Sequence, residues 1–220
     1  MSRELTATSY AVLGLLGVRS WTTYELAQQM DVAMHRFWPR ARSKVYEEPK
    51  KLVQHGLATA RADAVGRRPR TEYTITPAGR TALRAWLSTP ASPPVLEWEQ
   101  LLRVFLSDQG TTADLRQAAT DARAWVADRT AVDVEVGRAY LEGRGSFQQR
   151  AAVNLLVGSF FDELHEAVDR WAARTLAITD TWGDDPSAEQ PDLELGAAVQ
   201  RRAEARLSRT RDAPQPRRSS

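Results

Sequence analysis

Residues 40–87 decide the fold, and they read RARSKVYEEPKKLVQHGLATARADAVGRRPRTEYTITPAGRTALRAWL. The first part has helical spacing, with Val45 and Leu52 facing inward and Gly56 in the position that closes a helix. Polar and apolar residues then alternate on both sides of an arginine-rich loop, which predicts a β-hairpin. A further helix begins at Pro77, since proline favours the first helical position. The stretch therefore predicts a helix, a hairpin and a helix in direct succession.

Two more helices are predicted upstream of this stretch. The first is expected to begin near Thr8 or Ser9, either of which can cap it. Its apolar residues cover most of its circumference, so we expect it to be well buried. The second begins after Thr22, because Thr22 and Glu25 have the spacing of a capping box, and it should end where Pro39 breaks it.

Three helices, a hairpin and another helix are the order of a winged helix-turn-helix, in which the third helix enters the major groove of DNA. The predicted fold class is thus mainly α with a small β-hairpin. The third helix is expected to open near Ser43. Its outward positions are Arg42, Lys44, Tyr46, Glu47, Lys50 and Lys51. Pro49 lies inside this predicted helix, where it would remove the hydrogen bond to the carbonyl of Val45 and kink or loosen the helix.

The positive charge of the chain is concentrated in its first part and its last residues. Residues 1–90 contain 14 Lys and Arg against 7 Asp and Glu, residues 91–198 contain 9 against 19, and residues 199–220 contain 7 against 2. Three arginines gather at the predicted hairpin tip: Arg67, Arg68 and Arg70. A basic wing can contact the DNA backbone or the minor groove, so this pattern favours a surface that faces phosphates. A merely solvated loop is the alternative.

Several motifs appear together in this region. The opening TATSYAVLGLLGVRSWTTYELAQQM occupies residues 6–30. The later motifs are Ser-x-x-Tyr at Ser43 and Tyr46, Gly-Leu at Gly56 and Leu57, and Tyr-x-Ile-Thr-x-x-Gly from Tyr73 to Gly79. In this order and spacing, over roughly residues 5–90, they resemble the PadR family of bacterial transcriptional regulators.

The resemblance implies a homodimer that represses promoters and releases its DNA when a small molecule binds. It implies that Tyr46 and its polar neighbours face the major groove and that the tip arginines act as a wing. Many members have leucine where this chain has Pro49. The expected DNA contacts are Thr22, Thr23, Tyr24, Arg42, Ser43, Lys44, Tyr46, Glu47, Lys50, Arg67, Arg68, Arg70 and Thr71.

The rest of the chain is predicted to be helical. We expect a winged helix-turn-helix over residues 1–90, an antiparallel helical dimerisation domain over 91–182 and a flexible, partly helical basic tail over 183–220. A capping pattern at Thr111 and Asp114 opens one long helix, and a second continues to about Thr179. Two adjacent helices of about 30 residues cannot bury themselves alone, which indicates a dimerisation module. A helical domain without a partner is the alternative.

Tryptophan is frequent, with seven residues in the chain. The resemblance implies that relatives can bind aromatic or cationic drugs by stacking on tryptophan. Trp98, with Glu97 and Leu101 beside it, is the candidate here, because aromatic faces and carboxylates attract planar cations. The favoured alternative is that the tryptophans are core and anchor residues.

The sequence lacks the usual motifs of disulfide, metal-binding, catalytic and membrane-spanning segments. The chain contains no cysteine, and its three histidines are far apart, so neither a disulfide nor a metal site with recognised spacing is expected. No nucleophile elbow, phosphate loop or dinucleotide motif is present, and we expect no enzyme activity and no cofactor. The first apolar run, residues 11–18, is far short of the roughly 20 residues of a membrane span, which favours a cytoplasmic protein. A protein-interaction module that does not use its winged helix on DNA is the main rival function.

Overall fold

Helix α1, Ala7–Val18, lies at the centre of the first part of the protein in the computed structural model, which describes residues 4–39, 44–63 and 70–212. Val12, Leu13 and Leu16 expose at most 1% of their surface. The predicted burial of this helix is therefore confirmed, and each such side chain contributes about 1.5–3 kcal/mol through removal from water.

The chain divides into two compact units, Met1–Pro94 and Val95–Ser220. After α1, the first unit contains β1 (Trp21–Thr22), α2 (Thr23–Ala33), α3 (Glu48–Gln54), β2 (Ala58–Asp63), β3 (Arg70–Ile75) and α4 (Pro77–Leu87). The predicted hairpin is present, with Ala58 opposite Ile75 and Asp63 opposite Arg70. Strand β1 was not predicted, because two residues are too few to show alternation. It pairs antiparallel with β3 and completes a sheet of order β1-β3-β2.

The position of Pro49 corrects the sequence interpretation. The chain turns through residues 45–47, and α3 then begins at Glu48, so Pro49 lies in the first turn of the helix. A proline costs no intrahelical hydrogen bond there, and its fixed φ suits the start of a helix. The expected disturbance therefore appears as an interruption before Pro49, since Lys44 is helical, residues 45–47 form a turn and a new helix begins at Glu48. The predicted opening at Ser43 lies outside the described residues.

Two further helix ends differ from the prediction. Thr6, and neither Thr8 nor Ser9, caps α1, while Ser9 occupies the third position and accepts a hydrogen bond from the Thr6 amide at 2.9 Å. Helix α2 is capped by Thr22 as predicted, but it ends at Ala33, well before Pro39. Pro39 therefore does not end α2, and the residues between Ala33 and Pro39 are mostly in turns.

Gly79 lies where α4 begins, in tight contact with the backbone of Leu57, just before the first strand of the wing. A Cβ added at this residue would lie 2.1 Å from the carbonyl oxygen of Leu57. The Thr76 hydroxyl holds this junction together, since it donates to the Gly56 carbonyl at 2.8 Å and accepts from the Gly79 amide at 3.0 Å. Gly56 itself has φ +70°, the left-handed conformation expected after a helix.

Gly79→Ala is therefore expected to lower the free energy of unfolding by about 2 kcal/mol, because the added methyl meets backbone that cannot rotate away. Urea unfolding followed by circular dichroism measures this loss. Gly14→Ala in α1 is the matched control. Nothing lies within 4 Å of its added Cβ, and alanine favours a helix by about 1 kcal/mol. Equal stability of the Gly79 variant and the wild type would contradict the crowding at this junction.

The second unit is helical throughout its described part. It contains α5 (Glu99–Phe105), α6 (Thr112–Leu141), α7 (Ala151–Ile178) and α8 (Leu193–Asp212). Thr111 and Asp114 form the predicted capping box at the start of α6. None of the helices in residues 4–39, 44–63 or 70–212 has the length and apolar character needed to cross a membrane.

Helices α6 and α7 run antiparallel, since early residues of one meet late residues of the other. Arg116 Nη2 lies 3.3 Å from Asp180 Oδ1, and Arg123 Nε lies 2.8 Å from Asp169 Oδ1. Small residues fill the contact between the two helices: Ala119, Ala122, Val168 and Ala172.

The segment after α7 is more ordered than the flexible tail predicted for residues 183–220. The Thr112 amide donates to the Asp184 carbonyl at 2.9 Å, and the Gly183 amide donates to Glu189 at 2.6 Å. The first bond fastens the segment to the start of α6, and the second lies within the segment. Helix α8 then extends to Asp212, and residues 213–220 lie outside the described part of the chain.

Candidate nucleic-acid interface

Helix α3 and the turn before it have an inner and an outer side. Val45 and Leu52 are fully buried, which fixes this segment against the core. The predicted DNA contacts within the segment are exposed: Lys44, Tyr46, Glu47 and Lys50. Tyr46 exposes 59% of its surface. A segment anchored from inside and polar outside is what insertion into a major groove requires. Arg42 and Ser43, predicted on the same side, lie outside the described residues.

Lys51 is a correction to the predicted outward set. Its side chain is only 14% exposed and lies 3.9 Å from the Glu48 carboxylate. Its ammonium also donates to the Ser9 hydroxyl at 3.4 Å and to the Glu4 carbonyl. An ammonium held by protein oxygens on separate segments is turned away from a ligand in the groove.

The start of α2 carries three more predicted contacts. Tyr24 is 68% exposed, whereas Thr22 and Thr23 are half-buried. The Thr22 hydroxyl is engaged in the helix cap, since it donates to Glu25 Oε2 at 2.8 Å and accepts from the Glu25 amide at 3.3 Å. Thr22 also lies opposite Glu72 in the sheet, which brings the start of α2 beside the strand of the wing.

The hydrogen bonds in this cap lower the pKa of Glu25 below its ordinary value of 4.5. The Thr22 amide and hydroxyl contribute most, and the Arg19 guanidinium at 3.2 Å adds to them. A lowered carboxyl pKa stabilises the fold above the ordinary value, and this stability is lost as the pH falls through the lowered value. The cap at α2 therefore weakens below about pH 4.5.

Glu25→Gln is expected to reduce the loss of stability between pH 6 and pH 3, because glutamine can take the same place in a capping box without titrating. Urea midpoints of wild type and variant, measured across this range, test the expectation. Other carboxyls titrate in both proteins, so the difference between the two curves isolates Glu25. Parallel curves would show that Glu25 does not carry the expected acid sensitivity.

The wing is confirmed as far as its strands are described. Arg61 and Arg70 are exposed on β2 and β3, and Thr71 is half-buried. Tyr73 and Ile75, at the base of β3, are buried in the core, which gives the hairpin a fixed root. Arg67 and Arg68, predicted for the tip, lie outside the described residues.

The predicted ligand site in the second unit has a different character. Trp98 is half-buried and meets Trp171 edge-on, with ring centroids 5.2 Å apart, beside the alanine-rich contact of α6 and α7. Glu97 is exposed, and Leu101 is 39% exposed. This packing matches the role of core and anchor residue that the sequence favoured for Trp98.

The sequence did not reveal the buried Glu48, whose carboxylate accepts a hydrogen bond from the Ser9 hydroxyl at 2.5 Å. A glutamate among lysines on a helix is ordinarily a solvated residue. The only local signal was its position before Pro49, which would have placed it at the start of a helix.

Comparison with known proteins identifies relatives of the first unit. A sequence model of the Transcriptional regulator PadR-like family matches residues 12–85. The Negative transcriptional regulator PadR of Bacillus subtilis (strain 168) is 33% identical over 79 residues, which are 36% of this chain and 43% of the relative. The matched segment thus spans less than half of that relative. The matched family consists of transcriptional regulators and not of enzymes, in agreement with the prediction.

Solved structures extend the likeness beyond the first unit. Bacillus subtilis PadR in complex with operator DNA is 24% identical, with a TM-score of 0.65, over 79% of this chain and 99% of that one. The same protein in complex with p-coumaric acid is 24% identical, with a TM-score of 0.60, over 80% of this chain and 99% of that one. The Vibrio cholerae virulence activator AphA is 22% identical, with a TM-score of 0.58, over 79% of this chain and 98% of that one. At these identities the likeness concerns the fold, and it confirms the predicted mainly α class with a winged helix-turn-helix.

Proposed function

We propose that this protein, whose residues 12–85 match the model of the Transcriptional regulator PadR-like family, is a member of that family and a sequence-specific, homodimeric repressor of transcription. The observation that carries the proposal is the outer side of α3. Its exposed residues stand on a buried, fixed base, and a sheet joins the basic hairpin to the start of α2. Such a repressor acts in the cytoplasm, where bacterial DNA is found.

In the proposed complex, α3 and the turn before it enter the major groove. Tyr46 and Lys50 meet base edges or nearby phosphates, with Lys44 and Glu47 beside them. Arg70 and Thr71 bring the wing to the backbone together with Arg67 and Arg68 of the tip, and Thr22, Thr23 and Tyr24 approach from the start of α2. Arg42 and Ser43 complete the predicted contact set.

The proposed dimer rests on apolar side chains that the second unit leaves exposed. Val153, Leu156 and Phe160 expose 54%, 72% and 59% of their surface, and their spacing of three and four places them on one side of α7. Val132 and Val136 are half-exposed at the same spacing on α6. Exposed apolar clusters of this kind mark interfaces. Pairing would present two copies of α3 to successive major grooves, about 34 Å apart.

The proposed effector is a small aromatic molecule that releases the DNA. Support comes from the Bacillus subtilis relative, whose solved complexes include operator DNA and p-coumaric acid. Trp98, Glu97 and Leu101 are the proposed contacts, although the edge-on packing of Trp98 against Trp171 also supports a purely structural role.

Sequencing of the genomic fragments that the purified protein retains, with and without aromatic acids, tests this function. Enrichment of a few palindromic sites, reduced by an effector, is the expected result. A protein-interaction module would retain fragments without sequence preference or none at all, and that outcome would reject the DNA-binding role.

A further inference from the structure

Glu48 carries a buried carboxylate and is not among the proposed DNA contacts. Its side chain is 7% exposed and accepts a hydrogen bond from Ser9 in α1. Ionised groups at this depth persist only when other polar groups compensate them. Here the compensation comes from the Ser9 hydroxyl and from the Lys51 ammonium at 3.9 Å.

Lys50 and Lys51 are neighbours with opposite environments. Lys50 is exposed and forms no ion pair within the described residues. The Lys51 ammonium reaches oxygens on three segments, namely the Glu4 carbonyl, the Ser9 hydroxyl and the Glu48 carboxylate. The first ties Lys51 to the segment before α1, the second to α1, and the third lies within α3. The Lys51–Ser9 contact and the Ser9–Glu48 hydrogen bond fasten α3 to α1, and the Glu4 contact adds the segment before it.

We propose that Glu48 is a positioning residue for DNA specificity: it serves as an internal counter-ion that keeps Lys51 away from phosphates and holds α3 in one orientation. This inference rests on the proposed DNA-binding function. A lysine that reaches phosphates strengthens binding to every sequence equally. A lysine retained inside the domain adds no such contact, so a larger share of the affinity depends on the side chains that meet bases.

A groove above this joint gives Lys51 room to change partners. It is open to solvent and has a volume of about 650 Å³. Glu48 and Lys51 line it together with Lys44 and Lys50 of the outer side and with the acidic residues Glu4 and Glu47. If the charge of Glu48 is removed, the four-carbon side chain of Lys51 can turn through this groove toward the DNA face. Glutamine at position 48 would retain an oxygen for the Ser9 hydroxyl, so its main effect is on Lys51.

The test compares Lys50→Gln, Lys51→Gln, Glu48→Gln and the double variant Glu48→Gln/Lys51→Gln. Affinity is measured against salt concentration on a retained genomic duplex and on a random-sequence duplex of equal length. Each phosphate contact contributes about 0.9 to the slope of log affinity against log salt. Melting curves confirm that each variant is folded at the assay temperature.

Lys50→Gln is expected to flatten the slope by about 0.9 per protomer, whereas Lys51→Gln should leave the slope unchanged and weaken only the genomic duplex. Glu48→Gln should steepen the slope by about 0.9 per protomer on both duplexes, as Lys51 is released to phosphates. The release adds equally to both duplexes, but α3 also loses the Lys51 contacts that hold its orientation, so the specificity ratio should fall about tenfold, which is within the range of one good base contact. The double variant should return to the wild-type slope.

Either of two results would overturn this inference and leave the proposed DNA-binding function intact. Lys51→Gln could flatten the slope as much as Lys50→Gln, which would make Lys51 a phosphate contact. Glu48→Gln could instead leave slope and ratio unchanged, which would make Glu48 merely structural. If the wild type shows no salt-dependent DNA binding at all, the proposed function fails, and this inference fails with it.

Discussion

Tyr46→Ala is expected to weaken binding to the retained genomic site by about 10- to 100-fold and to leave binding to random-sequence DNA nearly unchanged. The ring is more than half exposed and lies next to Val45, which is fully buried. Removing the ring therefore takes away a contact without opening the core. The measurement is a pair of equilibrium titrations, one on each duplex.

Tyr46→Phe is the matched control, since it keeps the ring and removes only the hydroxyl. If phenylalanine retains full affinity, stacking or apolar contact with the bases carries the effect. If it behaves as alanine does, the hydroxyl carries it. An equal loss on the specific and random duplexes would place Tyr46 on the backbone and contradict its proposed reading role.

Leu156→Asp combined with Phe160→Asp is expected to convert the protein to a monomer at micromolar concentration and to weaken operator binding by 100-fold or more. Both side chains are exposed on the same side of α7, so two charges there oppose burial against a second copy. Loss of pairing removes the high effective concentration of the second α3, which can be worth about 10²–10⁴ in affinity. Analytical ultracentrifugation and DNA titration measure the two effects.

Val32→Asp is the control for this change. Val32 is 77% exposed on α2, in the first unit, where no dimer contact is proposed. It should leave the oligomeric state unchanged. A double variant that remains dimeric would remove this side of α7 from the interface, and a wild-type monomer would reject the proposed assembly altogether.

Local patterns predicted the helix starts well, because caps depend on residues three positions apart. Thr22 with Glu25 and Thr111 with Asp114 are both capping boxes in the structure. The same logic failed at α1, where Thr8 and Ser9 are good capping residues but Thr6 lies one turn earlier and takes that role. The sequence alone does not choose between such neighbouring capping residues; the choice depends on which of them the core buries, here Thr8 and Ser9.

Pro49 and Glu48 show what could not be predicted. Proline is disruptive inside a helix and favourable in its first turn, so its effect depends on where a helix begins, and the apolar spacing does not show that a new helix begins at Glu48. The main partner of Glu48 is Ser9, 39 residues away, and no spacing rule relates them. The exposure of Lys50 was predictable from the helical period, whereas Lys51, placed outward by the same pattern, is held inside by Glu48.

The alanines between α6 and α7 have a consequence for how this protein exists in the cell. Helix pairs that meet through small side chains approach closely but bury little apolar area, and area is what drives folding. Most valines and leucines in the described part of the second unit accordingly remain exposed in one copy. In the proposed dimer, folding of this unit is coupled to association with a second copy, so its stability depends on protein concentration. The amount of regulator made would then set the fraction that is folded as well as the fraction that occupies its sites.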